Sequence, residues 1–207
     1  MLSFKKIFCV AFLVTSMAFP AHAAEFSAKE MKEMSIFLSN FTELRLLNVK
    51  ASEFLNEKAP GDMIHFGIWH NYINNFKSRI RLCKDKGCKW GSLTLEGKYV
   101  QESLKKYFDF DLKKLSSVED SNQPFHYDGK LYHFEGADGD SLYVAKVKNA
   151  ITGKDGLIRI SGEVYDDTDS DVGHVEIVGP FTALVRPHTW NGRKTWSLIE
   201  LNTTVKD

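Results

Sequence analysis

The sequence predicts an α+β domain in which amino-terminal helices pack on a carboxy-terminal curved antiparallel sheet. Three observations predict it. Between Ser27 and Phe108 apolar residues recur at three- and four-residue steps, the period of a helix with one buried stripe. From Pro124 onward the period falls to two, that of a half-buried strand. Asp128-Gly129 and Asn191-Gly192 each lie between alternating runs, the composition of a two-residue hairpin turn. Helices followed by a meander of strands is the order of an α+β fold, not of a parallel α/β sheet.

Residues 1–23 read as an export signal that is removed. Lys5 and Lys6 form a positive head, Ile7 to Phe19 is an uncharged apolar run, and Pro20 ends it. Ala21-His22-Ala23 places small residues at the two positions a signal peptidase reads. The run is too short to span a bilayer. Cys9 lies inside it instead of at the cleavage site, which argues against a lipid anchor. The expected product is one domain, residues 24–207, in the periplasm or secreted. No later run reaches the roughly 18 apolar residues of a membrane span.

Ser27 caps the first helix, with Glu30 at the capping-box spacing, and the apolar stripe Met31, Met34, Phe37, Leu38, Phe41, Leu44 carries it to about Leu47. Asn48 to Ala59 is irregular, with a short helical turn. The next helix runs from Gly61 to Phe76 with Asp62 as its cap. Ile68, Trp69, Tyr72, Ile73 and Phe76 fill its apolar arc, Asn71, Asn74 and Asn75 face away, and Asn74-Asn75 weakens its end. A charged connector leads to a short strand at Ser92 to Leu95. Glu96 to Phe108 is the third helix, buried along Val100, Leu104, Tyr107 and Phe108. After a polar connection come hairpin 125–134 and strands at 142–148 and 157–165. A strand at Val175 and Ile177 is expected to break at Gly179-Pro180. The hairpin of Phe181 to Trp190 and Lys194 to Val205 ends the fold.

Charge narrows the function classes. The leader carries two lysines and no acid, so residues 24–207 hold 25 basic against 27 acidic residues, a formal charge of −2. A nearly neutral chain has no general electrostatic reason to seek nucleic acid or anionic lipid. Fifteen Phe, seven Tyr and four Trp exceed what a disordered chain carries and supply a core. Cys83 and Cys88 remain after processing. In an oxidising compartment such a pair closes a small loop, worth less than about 3 kcal/mol in chain entropy, so it pins one turn. Redox motifs usually have two intervening residues and this pair has four.

The order of elements resembles the helix-on-curved-sheet folds called cystatin-like or NTF2-like. Phe37-Leu-Ser-Asn-Phe-Thr-Glu-Leu44, Ile64-His-Phe-Gly-Ile-Trp-His-Asn-Tyr-Ile73 and Tyr127-Asp-Gly-Lys-Leu-Tyr-His-Phe134 are similar to stretches in small exported bacterial proteins of unassigned role. The resemblance implies a shape. Such folds include inhibitors, ligand binders and some enzymes, and no site residue transfers from them.

Several groups could carry function. Asp167, Asp169 and Asp171 alternate in a loop that could turn three carboxylates onto calcium. Val172 and Val178 stand where an EF-hand needs Gly and Glu, and a solvated turn is the plain alternative. His65, on the apolar arc of its helix, is the candidate base of a hydrolase pocket, or else a neutral core histidine. His126 and His133 lie diagonally on one face of the first hairpin and could share zinc with Glu135. Arg186, His188, Trp190, Arg193 and Thr195 share a face of the last hairpin, where a flat indole beside arginines suits a partner. Lys77, Arg79, Arg81, Lys84, Lys86 and Lys89 make the strongest basic stretch, suited to an acidic partner or anionic envelope polymer. No nucleophile elbow, phosphate loop or dinucleotide fingerprint is present. The expectation is an exported binding module without a cofactor, calcium aside. Its partner would be a protein or envelope-associated ligand, such as an enzyme it inhibits or assists. A hydrolase around His65 and a small-ligand carrier are the alternatives.

Overall fold

The computed structural model describes residues 26–84, 88–119, 123–137, 143–167 and 176–204. Residues 1–23, expected to be an export signal, lie outside them. Four helices are described: α1 (Ala28–Thr42), α2 (Ala51–Phe54), α3 (Gly61–Arg79) and α4 (Gly97–Phe108). The strands are β1 (Asn48–Lys50), β2 (Arg81–Leu82), β3 (Leu93–Glu96), β4 (His126–Tyr127), β5 (Leu131–Phe134), β6 (Tyr143–Thr152), β7 (Ile158–Asp166), β8 (Glu176–Trp190) and β9 (Arg193–Thr203). The α+β class is as expected, but the strands form two open antiparallel sheets where the sequence predicts one. The larger has the order β1-β9-β8-β7-β6 and the smaller β2-β3-β5-β4. The first hairpin therefore joins β3, from the helical half, and β1 lies along β9. Strands of two or three residues are too short to display a period, which hides β1 and β2 inside helical sequence, whereas the strand expected at Ser92 to Leu95 is present as β3.

The capping box forms as expected: the Glu30 backbone N–H donates to Ser27 Oγ (3.3 Å) and the Ser27 backbone N–H to the Glu30 carboxylate (2.8 Å). α1 stops at Thr42 because the chain turns through Arg45 (φ 55°) into β1. It runs along the open edge of β6. Ser39 Oγ accepts from Ala145 N–H (3.0 Å), Ser35 Oγ accepts from Val147 N–H (2.9 Å), and Thr42 Oγ1 donates to Tyr143 C=O (2.6 Å). A helix thus satisfies backbone groups that an edge strand would leave open.

α3 is packed on two sides. Phe66 meets Phe41 (5.5 Å between ring centres) and Phe108 (5.3 Å), while Trp69 meets Phe125 (6.0 Å), just before β4, and Phe134 (6.1 Å) of β5. A single apolar arc is the wrong description for it. Asn71, expected outside, is fully buried, and Phe76, expected inside, is 45 % exposed. Asp62 does not cap the helix, since Pro60 holds that position and Asp62 stands in the first turn, where its charge suits the helix dipole. Asn75 leaves helical geometry (φ −134°), as the Asn74-Asn75 pair foretells. A Cβ at Gly67 would lie 2.6 Å from Val100, so this glycine lets α3 and α4 cross closely.

β8 does not break at Gly179-Pro180. Val178 bulges out between Gly179 and Ile177, and Ile199 does so on β9 between Leu198 and Glu200. Such bulges bend a sheet while leaving it paired. Cys83 and Cys88 form a disulfide just after β2. Among the described residues no helix is long and apolar enough to cross a membrane.

Candidate functional site

A cleft of about 510 Å³ opens where the tip of hairpin β8–β9 stands against the carboxy-terminal half of α3 and the exposed side of α4. The hairpin is aimed by its turn. Asn191 (φ 48°) and Gly192 (φ 73°) both take the left-handed conformation that a type I′ turn requires, so Trp190 pairs directly with Arg193. Trp190, Arg193, Lys194 and Thr195 line one wall. α3 contributes His70, Asn75 and Arg79, and α4 contributes Glu102, Ser103 and Lys106.

Four cationic side chains, Arg79, Lys106, Arg193 and Lys194, therefore surround one carboxylate, Glu102. Arg79 bridges to that carboxylate (3.2 Å), donates to Asn71 Oδ1 (3.1 Å) and lies over the Tyr99 ring (4.5 Å). Lys106 Nζ donates to the Tyr107 hydroxyl (2.9 Å), which itself donates to Asn40 Oδ1 (2.9 Å). Burial and the nearby Arg79 lower the Lys106 pKa. Asn71 ties the two helices, its amide donating to Gly67 C=O (2.7 Å) and Ser103 Oγ (2.9 Å).

His70 is 4 % exposed. Its ring stacks on Phe66 (5.9 Å) and meets the Tyr107 ring edge-on (4.7 Å). Burial, helped by Lys106 and Arg79, lowers its pKa to about 3, so the imidazole is neutral at physiological pH. Nε2 lies 3.4 Å from Asn75 Nδ2, and Nδ1 is buried with no hydrogen-bond partner among the described residues.

The residues singled out in the sequence are brought together in part. Trp190, Arg193 and Thr195 line the cleft. His188 pairs with Thr195 but does not line the cleft, its Nδ1 lying 3.7 Å from Asp109, and Arg186 is exposed further down β8. Of the basic stretch, Arg79 reaches the cleft, Arg81 binds the end of α3 and Lys89 lies over Trp90 (4.4 Å). His65 is half-buried elsewhere, its ring between Trp69 (6.0 Å) and Phe125 (5.7 Å), and burial lowers its pKa against the pull of Asp62.

The first hairpin has a different register from the one expected. Tyr127 pairs with Tyr132 and His126 with His133, so the two imidazoles are directly opposed, 6.2 Å apart, instead of diagonal. His133 Nε2 is held by Asp128 (2.9 Å) and Glu135 accepts from Ser92 (2.7 Å). His126 stacks on Trp90 (4.2 Å). Asp167 is exposed, and Asp169 and Asp171 lie outside the described residues. Among the described residues no group of three or more His, Cys, Asp or Glu side chains could hold a metal ion.

His70, Lys106 and Lys194 belong to the cleft although sequence reasoning did not select them. A signal existed. Asn71, Asn75 and Arg79 recur every four residues on α3, and Glu102 and Lys106 do so on α4. Each stripe reads as a solvated face, but together they form the two sides of one polar seam. No protein-family model, curated protein or solved structure matches the chain.

Proposed function

We propose that the chain is an exported binding module that holds an acidic partner at this cleft. A single observation carries the reading: cations from α3, α4 and hairpin β8–β9 converge on one cleft of a chain whose formal net charge is zero. Concentrated charge in a concave surface steers an oppositely charged partner, and the Trp190 ring at the wall offers flat area for contact. A protein of the cell envelope, inhibited or assisted by the module, suits these features, and the Cys83–Cys88 disulfide suits an oxidising compartment. The hydrolase reading has less support. His65 packs between aromatic rings, with no hydrogen-bonded carboxylate among the described residues. A carrier for apolar ligands would want an apolar lining, and charged and amide side chains dominate here.

The test is capture from an envelope extract by the immobilised protein, beside a Trp190→Ala/Arg193→Ala variant, at about 0.05 and 0.5 M salt. The wild type is expected to retain a partner at low salt and release it at high salt, and the variant to retain none. Equal retention by both proteins would overturn the assignment.

A further inference from the structure

Resting on the reading of this cleft as the binding surface, we infer that its base is an oxyanion site. There a phosphate or carboxylate group of the ligand accepts a hydrogen bond from His70 Nδ1–H and lies against Lys106 and Arg79.

The orientation of His70 supplies the first argument. The Asn75 Nδ2 amide can only donate, so Nε2, 3.4 Å away, is the acceptor. The ring is neutral and carries one proton, which must then be on Nδ1. That N–H is buried and has no acceptor among the described residues. Phe66 packs on one face of the ring and Tyr107 meets its edge. Buried donors are satisfied in nearly all native structures, and each exception calls for an explanation. His70 lines the cleft, and a ligand oxygen is the acceptor that this geometry lacks.

Charge supplies the second. Lys106 and Arg79 lower the His70 pKa by their positive charge, and Arg79 does the same to Lys106. Like charges held together around a buried donor gain most from a negative group placed among them. Glu102 is already engaged by Arg79 (3.2 Å) and does not balance Lys106, whose ammonium spends one donor on Tyr107. The same arrangement rejects a metal cation. The Nε2 lone pair faces Asn75, and the surrounding side chains are positive. A neutral histidine also makes the site a donor at physiological pH without needing acid to charge it.

The experiment is a titration of the protein, labelled with ¹⁵N-histidine, with inorganic phosphate in one arm and succinate in the other, at constant ionic strength. In the free protein the His70 ring nitrogens should show the Nδ1–H tautomer. At least one anion should shift Nδ1 saturably, and the arm that saturates lower identifies phosphate or carboxylate as the natural group. Lys106→Met should weaken that binding by roughly tenfold or more, as loss of one charge-assisted hydrogen bond implies. His70→Gln should weaken it too. If that variant fails to fold, Lys106→Met decides. An Nε2–H tautomer, no saturable shift with either anion up to about 50 mM, or a shift that Lys106→Met leaves unchanged would overturn the inference.

Partner capture by the Trp190→Ala/Arg193→Ala variant separates the two claims. Capture lost in that variant, with no anion at His70 in the wild type, sinks the oxyanion site and leaves the binding module standing. An anion at His70, with capture indifferent to the variant, does the reverse.

Discussion

Hairpin β4–β5 turns at Asp128-Gly129 and hairpin β8–β9 at Asn191-Gly192, and the two are used differently. In the second, both turn residues are left-handed, the loop has two residues, and the tip projects Trp190 and Arg193 into the cleft. In the first, Gly129 alone takes positive φ (100°), and Tyr127 pairs with Tyr132, so the loop between paired residues is four residues long instead of two, with Lys130 and Leu131 added from the β5 side. Two forces widen it. Leu131 is drawn into pairing with Glu96 of β3. The Asp128 carboxylate accepts from the N–H groups of Lys130 (2.8 Å) and Leu131 (2.7 Å), which holds the wider loop closed. The first hairpin also sends Tyr132 and Phe134 into the core, where both are almost fully buried. One hairpin serves the fold and the other presents a surface. The difference lies in what each strand pairs with beyond the turn.

The largest expected effect separates those two jobs. Phe134→Ala removes a ring packed on Phe125 (6.0 Å) and Trp69 (6.1 Å) and should cost about 3–5 kcal/mol. Trp190→Ala should cost about 1 kcal/mol or less, because the indole is only half-buried at a hairpin tip. Urea denaturation with an unchanged m-value measures both. Similar losses from the two substitutions would mean that the tip is part of the core, and the division proposed between the hairpins would fail.

A smaller effect tests the turn itself. Gly192→Val forces a β-branched residue to φ 73° and should cost about 1–2 kcal/mol. It should also reduce partner capture, although Gly192 does not line the cleft, because the type I′ geometry aligns Trp190 with Arg193. Thermal unfolding and capture, measured on the same preparation, check the two halves. Undiminished capture would show that the tip does not depend on its turn for aim.

These particulars show where sequence is informative. Ser27 and Glu30, Asn191-Gly192, and the alternation of Ile158, Ile160 and Val164 act over a few residues, and each is read correctly because neighbouring residues decide it. The smaller sheet escapes notice although β3 and β5 are each expected as strands, because they lie far apart in the chain and nothing local reveals that they pair. Asn71 is misjudged, and His70 passed over, for a related reason. Whether a polar residue on a helix meets water or another helix depends on a partner, here Ser103 and Tyr107 of α4, that periodicity within one segment cannot reveal. Trp190 and Arg193 are legible because the turn places them, whereas the other walls of their cleft come from tertiary packing.

The smallest effect bears on what holds the wider loop. Burial pushes the Asp128 carboxyl up, but hydrogen bonds from His133, Leu131 and Lys130 outweigh it and bring its pKa down to about 2. A group whose pKa is lowered by folding stabilises the native state above its unfolded value, near 4 for an aspartate. That contribution is lost as pH falls from about 4 toward 2. Asp128→Asn keeps an acceptor oxygen for the two backbone N–H groups but removes the charge. With the carboxylate 39 % exposed, solvent screening should hold the cost to under about 1 kcal/mol at pH 6. Other paired acids also titrate on acidification, so the difference between wild type and variant is the quantity to follow. It should be constant above about pH 5 and shrink as the wild type becomes protonated. A difference that stays constant down to pH 2 would mean that the carboxylate contributes nothing through its charge. Pairing of Leu131 with β3 would then be the force that sets this hairpin apart from its counterpart at Asn191-Gly192.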